Sequence, residues 1–332
     1  MEKYLLLLFL LLGSVLLWLG VSADPAYISS TERPLRIAVS TSPLSSPIII
    51  ADRMGFFSKQ QLTVQLLPIK GGNNCFDALM RGDADLATSS ETVVMFNSFQ
   101  RNDFSIISSF AESDNDIKLL TKAASGIQRP EQLLHHHIGI VAGSASEYFM
   151  DALLLMHDYP QQLVQRTDIA PNDLADALLV GAVDAISIWE PFAFQLQQQY
   201  PQQIYSFKTK GIYNLTFNLL VRREDTTSHL QQHIRVLKAL DEAIQYIINE
   251  PEKSQQLVSD YLKVSADEVI TLWPDYLFRL SLGNTLLSNL QSQSRWAVNA
   301  DLVKKHTIPD YRLFIDSTAL NQVIHKPLVR KE

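Results

Sequence analysis

The sequence predicts an α/β protein of two lobes, each a mainly parallel sheet flanked by helices, with two chain crossovers forming a hinge. Three observations carry this reading. Short β-rich runs alternate with Gly/Ser-rich turns and helical stretches, which is the rhythm of βαβ units. The rhythm restarts near His137 after a first set that ends beyond Thr92. The 332 residues, 46% of them hydrophobic, supply enough material for two cores.

The first set begins with Leu35 to Ser40 (LRIAVS), a β-rich run closed by Thr41-Ser42-Pro43. Pro47 suits the first turn of a helix over Ile48 to Met54, because a missing N–H costs nothing there. Leu62 to Pro68 is the next strand, and the Gly71-Gly72-Asn73-Asn74 turn leads into a helix over Cys75 to Met80. A short strand, Ala84 to Ala87, is followed by a helix opened by Ser89-Ser90-Glu91-Thr92.

In the second set, His137 to Val141 is a strand, Gly143 to Ser146 a helix-opening turn, and Glu147 to His157 a helix. Asp173 to Val180 forms a helix closed by Gly181, and Ala185 to Trp189 a strand running into Glu190-Pro191. Ile117 to Lys122 and Thr216 to Arg222 read as strand-like crossovers between the sets. Lobe I therefore covers 35–114 and 217–332, and lobe II covers 115–216. After Asp225 the chain is mostly helical, punctuated by Pro251 and Pro274, and packs back on lobe I.

Residues 1–23 read as an export signal. Lys3 is a minimal basic flank, Leu5 to Val21 an apolar run, and Val21-Ser22-Ala23 a small-residue cleavage site. An uncleaved anchor is the alternative, since the run approaches the roughly 17–25 residues that span a bilayer. Either way the folded part lies outside the cytoplasm. Ser14 stands where an acylated cysteine would have to follow Leu11-Leu12-Gly13, which argues against a lipoprotein.

The formal net charge of −7 comes without a Lys/Arg block, so nucleic acid is an unsuitable partner. Cys75 is the single cysteine, which excludes an intramolecular disulfide and a cysteine-based metal site. It reads as a small core residue, the alternative being a thiol activated at a helix start. His135-His136-His137 invites a metal reading, but neighbouring residues point in different directions and no further ligands are identifiable. Asn214-Leu215-Thr216 matches a glycosylation sequon inside a predicted strand, where it is coincidental. There is no GxSxG elbow, no HExxH and no phosphate loop ending in GK[ST], so catalysis has little support and no cofactor is implied.

In open α/β sheets ligands bind beyond the carboxyl ends of strands, where loops enter helices and free backbone N–H groups favour an anion or strong acceptor. The polar turns occupy those places, giving Thr41, Ser42, Asn73, Asn74, Ser89, Ser90, Ser144 and Ser146 as ligand-binding candidates. Helix capping explains each hydroxyl or amide equally well, so their joint placement carries the argument. Trp189 and Glu190 add a stacking face and an acceptor for an amine, with packing and surface capping as the plain alternative. A carboxylate from Glu190 or Glu147 in the cleft would count against an anionic ligand.

Four stretches then carry a family resemblance: ADRMGFFSKQQLTVQLLPIKGG (51–72), ALMRGDADLAT (78–88), IGIVAGSASEYFMDALL (138–154) and ALLVGAVDAISIWEPF (177–192). In order and spacing the chain resembles the periplasmic substrate-binding proteins of ABC importers for nitrate, sulfonates, taurine and thiamine precursors. A weaker likeness reaches Arg295-Trp296-Ala297. The resemblance implies the type II periplasmic-binding fold, hinge closure on a small-molecule ligand, a monomer, and docking on a permease-ATPase complex. It places ligand contacts at the same turns, at Ser89-Ser90 and at Trp189-Glu190. No Arg or Lys stands in those turns, so an amine-bearing or pyrimidine-like ligand stays open beside sulfonate and nitrate. Two alternatives complete the reading: a membrane-tethered sensory module, and an exported enzyme.

Overall fold

A computed structural model describes residues 33–304 and 307–324. The export signal expected over residues 1–23 lies outside the described residues.

Two sheets organise the chain. Its strands are β1 (Leu35–Ser40), β2 (Val64–Ile69), β3 (Leu86–Ser90), β4 (Phe104–Ser113), β5 (Ile117–Lys122), β6 (His137–Ile140), β7 (Gln165–Asp168), β8 (Ala185–Trp189), β9 (Ile204–Ser206), β10 (Leu215–Arg222) and β11 (Leu277–Ser281). A six-stranded sheet has the order β11-β4-β10-β3-β1-β2, and a five-stranded sheet the order β7-β6-β8-β5-β9.

Each sheet is mixed, where the βα rhythm predicts mainly parallel pairing. β1 runs parallel to β2 and β3, whereas β10 pairs antiparallel with β3 and β4, and β4 with β11. In the other sheet β6 is parallel to β7 and β8, while β5 is antiparallel to β8 and β9. The parallel half of each sheet holds the βα units legible in sequence. The antiparallel pairs centre on β10 and β5, the one strand in each sheet that the chain enters directly from the other sheet, in the opposite direction.

The crossovers differ from expectation for the same reason. Ile117–Lys122 and the strand through Thr216–Arg222 are interior strands: β5 lies between β8 and β9, and β10 between β3 and β4. The chain passes between sheets in the short segment 114–116, after β4, and in 207–214, after β9. β4 itself escapes a hydrophobicity reading because four of its ten residues are serine, yet all ten are buried. Its hydroxyls are satisfied internally: Ser109 Oγ donates to Asn218 Oδ1 at 2.6 Å and Ser108 Oγ to the Ser109 carbonyl at 2.6 Å.

The C-terminal part is mostly helical, as read, with β11 added at a sheet edge. The Leu230–Asn249 helix buries Ile234, Val236, Leu237, Leu240, Ala243, Ile244 and Ile247, a stripe at helical spacing. It joins Ile48, Ile49 and Ile50 of the Ser46–Arg53 helix in one core with β1. Each large side chain removed from water there contributes about 1.5–3 kcal/mol. A separate cluster of Leu120, Leu174, Leu178, Ile186 and Ile188 covers one face of the five-stranded sheet.

Candidate functional site

The carboxyl ends of β1, β3 and β8 and the starts of three helices meet at one cleft of about 410 Å³, counting the space open to solvent. Ser40, Ser42 and Leu44 come from β1 and the turn after it, Gly72 and Asn73 from the start of the Gly72–Met80 helix, and Ser90 and Val93 from the end of β3 and the helix it enters. The five-stranded side contributes Ser144, Ala145 and Trp189, together with Asp116 and Ile117 where β5 begins. Leu215 and Phe217 of β10 complete an apolar wall.

Close backbone approach shapes one side. The Gly72–Met80 helix begins three residues earlier than the sequence suggests, so the GGNN turn is largely its first turn. A Cβ on Gly72 would lie 2.8 Å from Ser89 Oγ and 3.1 Å from Ser89 Cα, which excludes any side chain without a shift. Neither this helix nor the Glu91–Ser98 helix carries a side-chain N-cap. The Gly72–Met80 helix thus opens without a capping side chain, whereas the Glu91–Ser98 helix opens with Glu91, whose buried carboxyl bonds its own backbone N–H at the positive end of the helix dipole.

On the other starts the serines act as caps. Ser42 Oγ accepts from Leu44 N at 3.3 Å, and Ser144 Oγ accepts from Ser146 N at 3.1 Å while donating to the Val141 carbonyl at 2.7 Å. Ser146 is fully buried and stitches its helix to β8: its Oγ donates to Ser187 O at 2.6 Å, and Ser187 Oγ donates back to Ser146 O at 2.8 Å.

Of the ten candidates, Ser42, Asn73, Ser90, Ser144 and Trp189 line the cleft and the other five do not. Thr41 is partly exposed beside it. Asn74 points to solvent and donates its amide to Lys70 O at 2.8 Å. Ser89 lies fully buried behind Gly72. Glu190 is buried, its Oε2 accepting from Phe194 N at 2.8 Å, so the carboxyl caps the Phe192–Gln199 helix. Burial pushes its pKa up to about 8, against the pull of Lys118 and of the Phe194 N–H. Glu147 likewise turns back, accepting from Gly143 N at 2.8 Å. These residues are sequence neighbours of the cleft residues but do not line the cleft, which one-dimensional order cannot distinguish.

Asp116 is the lining residue that sequence reading passed over. It closes the polar Ser113-Asp114-Asn115-Asp116 run between two apolar strands, the only signal that could have marked it. It is 3% exposed, and its Oδ1 accepts from Tyr276 Oη at 3.2 Å. Burial raises its pKa to about 7 despite that bond and the nearby Lys118 ammonium, and Asp275 adds to the rise. Trp189 presents its ring from the end of β8, edge-on to Phe192 at 6.2 Å between centroids.

The remaining motifs lie elsewhere. His136 Nδ1 sits 3.0 Å from Asp184 Oδ2, His137 bonds Gln165, and no group of three or more His, Cys, Asp or Glu is placed to hold a metal among the described residues. Cys75 is buried with its thiol pushed up to about 12, which overturns the activated-thiol alternative. Thr216 of the sequon is buried against Glu91. The lining residues include no histidine or cysteine and no basic side chain. Chemically, the cleft offers hydroxyls, backbone amides, one carboxyl, one indole and an apolar wall: a set that holds a small polar molecule.

Comparison with known proteins places this architecture. The sequence model of a family described as NMT1/THI5 like matches residues 42–254. A protein of Bacillus subtilis (strain 168) described as an aliphatic sulfonates-binding protein is 24% identical over 259 residues, 76% of this chain and 77% of its own length. The crystal structure of the periplasmic aliphatic sulphonate binding protein SsuA from Escherichia coli superposes with a TM-score of 0.74 at 18% identity, covering 85% of this chain and 92% of that one. The periplasmic nitrate-binding protein NrtA from Synechocystis PCC 6803 superposes with a TM-score of 0.69 at 13% identity, covering 89% of each. The shared fold is the periplasmic-binding-protein fold expected from the resemblance.

Proposed function

We propose a function from one premise: the chain belongs to the NMT1/THI5-like family. In this reading it is an extracytoplasmic, periplasmic solute-binding protein that captures a small polar molecule between two lobes and delivers it, as a monomer, to an ABC permease-ATPase complex. The lobes are 35–114 with 217–332, and 115–216. The observation that carries the reading is the cleft, whose walls come from both sheets, with Ser42, Asn73 and Ser90 on one side and Ser144 and Trp189 on the other. A molecule touching both walls has differential affinity for the closed form and shifts the population toward it. Relatives named for sulfonate and nitrate binding support a sulfonate or nitrate-like anion, whereas the absence of a basic lining residue supports an amine-bearing or pyrimidine-like one.

A thermal-shift screen over alkanesulfonates, nitrate, aminosulfonates and pyrimidines tests the reading, because a ligand that binds only the native state raises its stability by mass action. Small-angle scattering at saturation should show a smaller radius of gyration. An unchanged radius with a bound ligand would count against closure. Sequencing the N-terminus of the exported protein should give a start at Asp24. A start at Met1 would instead favour a tethered sensory module, and chemically altered ligand after incubation would favour an enzyme.

A further inference from the structure

We propose that Asp275 is a hinge clasp: its two carboxyl oxygens hold both chain crossovers in the closed arrangement, so the C-terminal segment 266–276 sets how readily the two halves part. The inference rests on reading the halves as lobes that move about those crossovers, and it adds a named control on that motion.

The crossovers are short, 114–116 and 207–214, and each is held at both ends by a strand. A rotation of one half against the other must therefore be absorbed by the backbone dihedrals of these few residues. They already touch each other, Gly211 N donating to the Asp114 carbonyl at 2.9 Å. Asp275 spans both. Its Oδ2 accepts from Asn115 Nδ2 of the first crossover at 2.6 Å, and its Oδ1 accepts from Lys210 Nζ of the second at 2.9 Å. The next residue along each segment repeats the link to the first crossover, Tyr276 Oη donating to Asp116 Oδ1 at 3.2 Å. Asp116 lines the cleft, so the clasp stands one residue from the cleft wall.

The carboxylate projects from a fixed base. Asp275 ends the short Trp273–Asp275 turn, in which Pro274 restricts the backbone and Tyr276 N donates to the Trp273 carbonyl at 3.1 Å. Trp273 and Tyr276 both set their rings against Phe278 of β11, at 5.3 and 6.1 Å between centroids. Before the turn, Glu268 of the Ala266–Leu272 helix is buried and accepts from Gln195 Nε2 of the Phe192–Gln199 helix at 3.2 Å, a direct bond to the other half. Opening the hinge carries Gln195 away with its half and displaces Asn115 and Lys210 relative to one another, so a fixed carboxylate keeps both donors only near this hinge angle. The halves meet at that angle through Lys70 Nζ and Asn172 Oδ1 as well, at 3.3 Å. Loss of the Asp275 bonds opposes opening.

The test is distance measurement by double electron–electron resonance on the ligand-free protein, spin-labelled at Asp77→Cys on the six-stranded side and Asp176→Cys on the other, both exposed positions. The native Cys75 is buried and stays unlabelled. Asp275→Ala is expected to raise the ratio of long to short distances about tenfold, the effect of losing a net hydrogen bond or two. The Asn115→Ala, Lys210→Met pair should match it, and adding that pair to Asp275→Ala should change nothing further, since the same bonds are already gone. Lys210 is exposed, so Lys210→Met keeps the fold, and it should reduce the opening that about 1 M salt produces in the parent by screening the Lys210–Asp275 pair. Two distances whose ratio no variant shifts would overturn the clasp and leave the moving lobes standing, and additive effects of Asp275→Ala and the donor pair would overturn it too. A single distance common to parent and variants at either salt would do the same, and the change in radius of gyration on ligand binding then judges the lobes separately.

Discussion

Trp296 donates its indole N–H to Asp151 Oδ2 at 2.7 Å, and this bond joins a helix that follows β6 of the five-stranded sheet to one that follows β11 of the six-stranded sheet. Asp151 is fully buried, and its other oxygen accepts from Arg166 at 2.5 Å. Tyr148 and Phe96 set their rings edge-on against Trp296, so the contact between the two halves is both polar and aromatic.

Replacing Trp296 with Phe keeps an aromatic ring and deletes the donor. The buried Asp151 oxygen then lacks its partner, and the expected loss is about 1–3 kcal/mol. Urea unfolding measures it, and scattering of the ligand-free protein should show a larger radius if the bond also holds the halves together. A variant as stable and as compact as the parent would show that the bond contributes neither.

Stability should fall as pH rises through neutrality. The Asp116 and Glu190 carboxyls titrate near about 7 and about 8 in the fold, because burial disfavours their charged forms, whereas in the unfolded chain carboxyls titrate near 4. Between those values the native state binds more protons than the unfolded one, so this contribution is full at the acidic end and is lost toward the folded pKa values. Thermal melts from about pH 5 to pH 8.5 should show a declining Tm, and the Asp116→Asn, Glu190→Gln double variant should flatten the decline. An identical slope in the variant would locate the titrating groups elsewhere.

Gly72→Ala should destabilise the protein by about 1–3 kcal/mol, the usual effect of overpacking a tight site. The added Cβ meets Ser89 Oγ at 2.8 Å and Ser89 Cα at 3.1 Å. Ser89 Oγ makes no hydrogen bond among the described residues, so Ser89→Ala alone should cost little. Combined with Gly72→Ala it should restore part of the stability, since the hydroxyl contact is relieved and the backbone contact stays. Full additivity of the two changes would contradict this geometry.

Ligand-induced stabilisation ranks two further variants. At one hundred times Kd a ligand adds about 2.7 kcal/mol. Trp189→Ala should remove most of that increment, because the ring lines the cleft. His136→Ala should leave it intact, since His136 pairs with Asp184 away from the cleft. The opposite order would displace the site.

How much was legible depended on whether local chemistry decided the outcome. The strands β1, β5 and β8 appear in the sequence with the bounds they have in the fold, because each is a short apolar run closed by turn residues. The Gly181 stop was equally clear, its φ of +79° being the left-handed turn that glycine supplies at a helix end. β4 was not legible, since its serines are buried through partners 109 residues away and at the adjacent carbonyl. Within the site, the turns of Ser42, Asn73, Ser90 and Ser144 could be named from composition, but Ser146 and Glu190 could not be separated from them. Both are polar residues at helix starts; Ser146 is turned from the cleft by donating to the Ser187 carbonyl of β8, and Glu190 by accepting from the Phe194 N–H.

From the sequence alone follow the α/β class, the paired sets of elements, the turns that open helices and the family, because each depends on residues close together in the chain. Sheet direction, the segments that pass between sheets, the burial of Glu190 and the presence of Asp116 in the cleft were decided by tertiary structure. They depend on which distant strands become neighbours, and a carboxyl's charge state is set by how much water and which partners that assembly leaves around it.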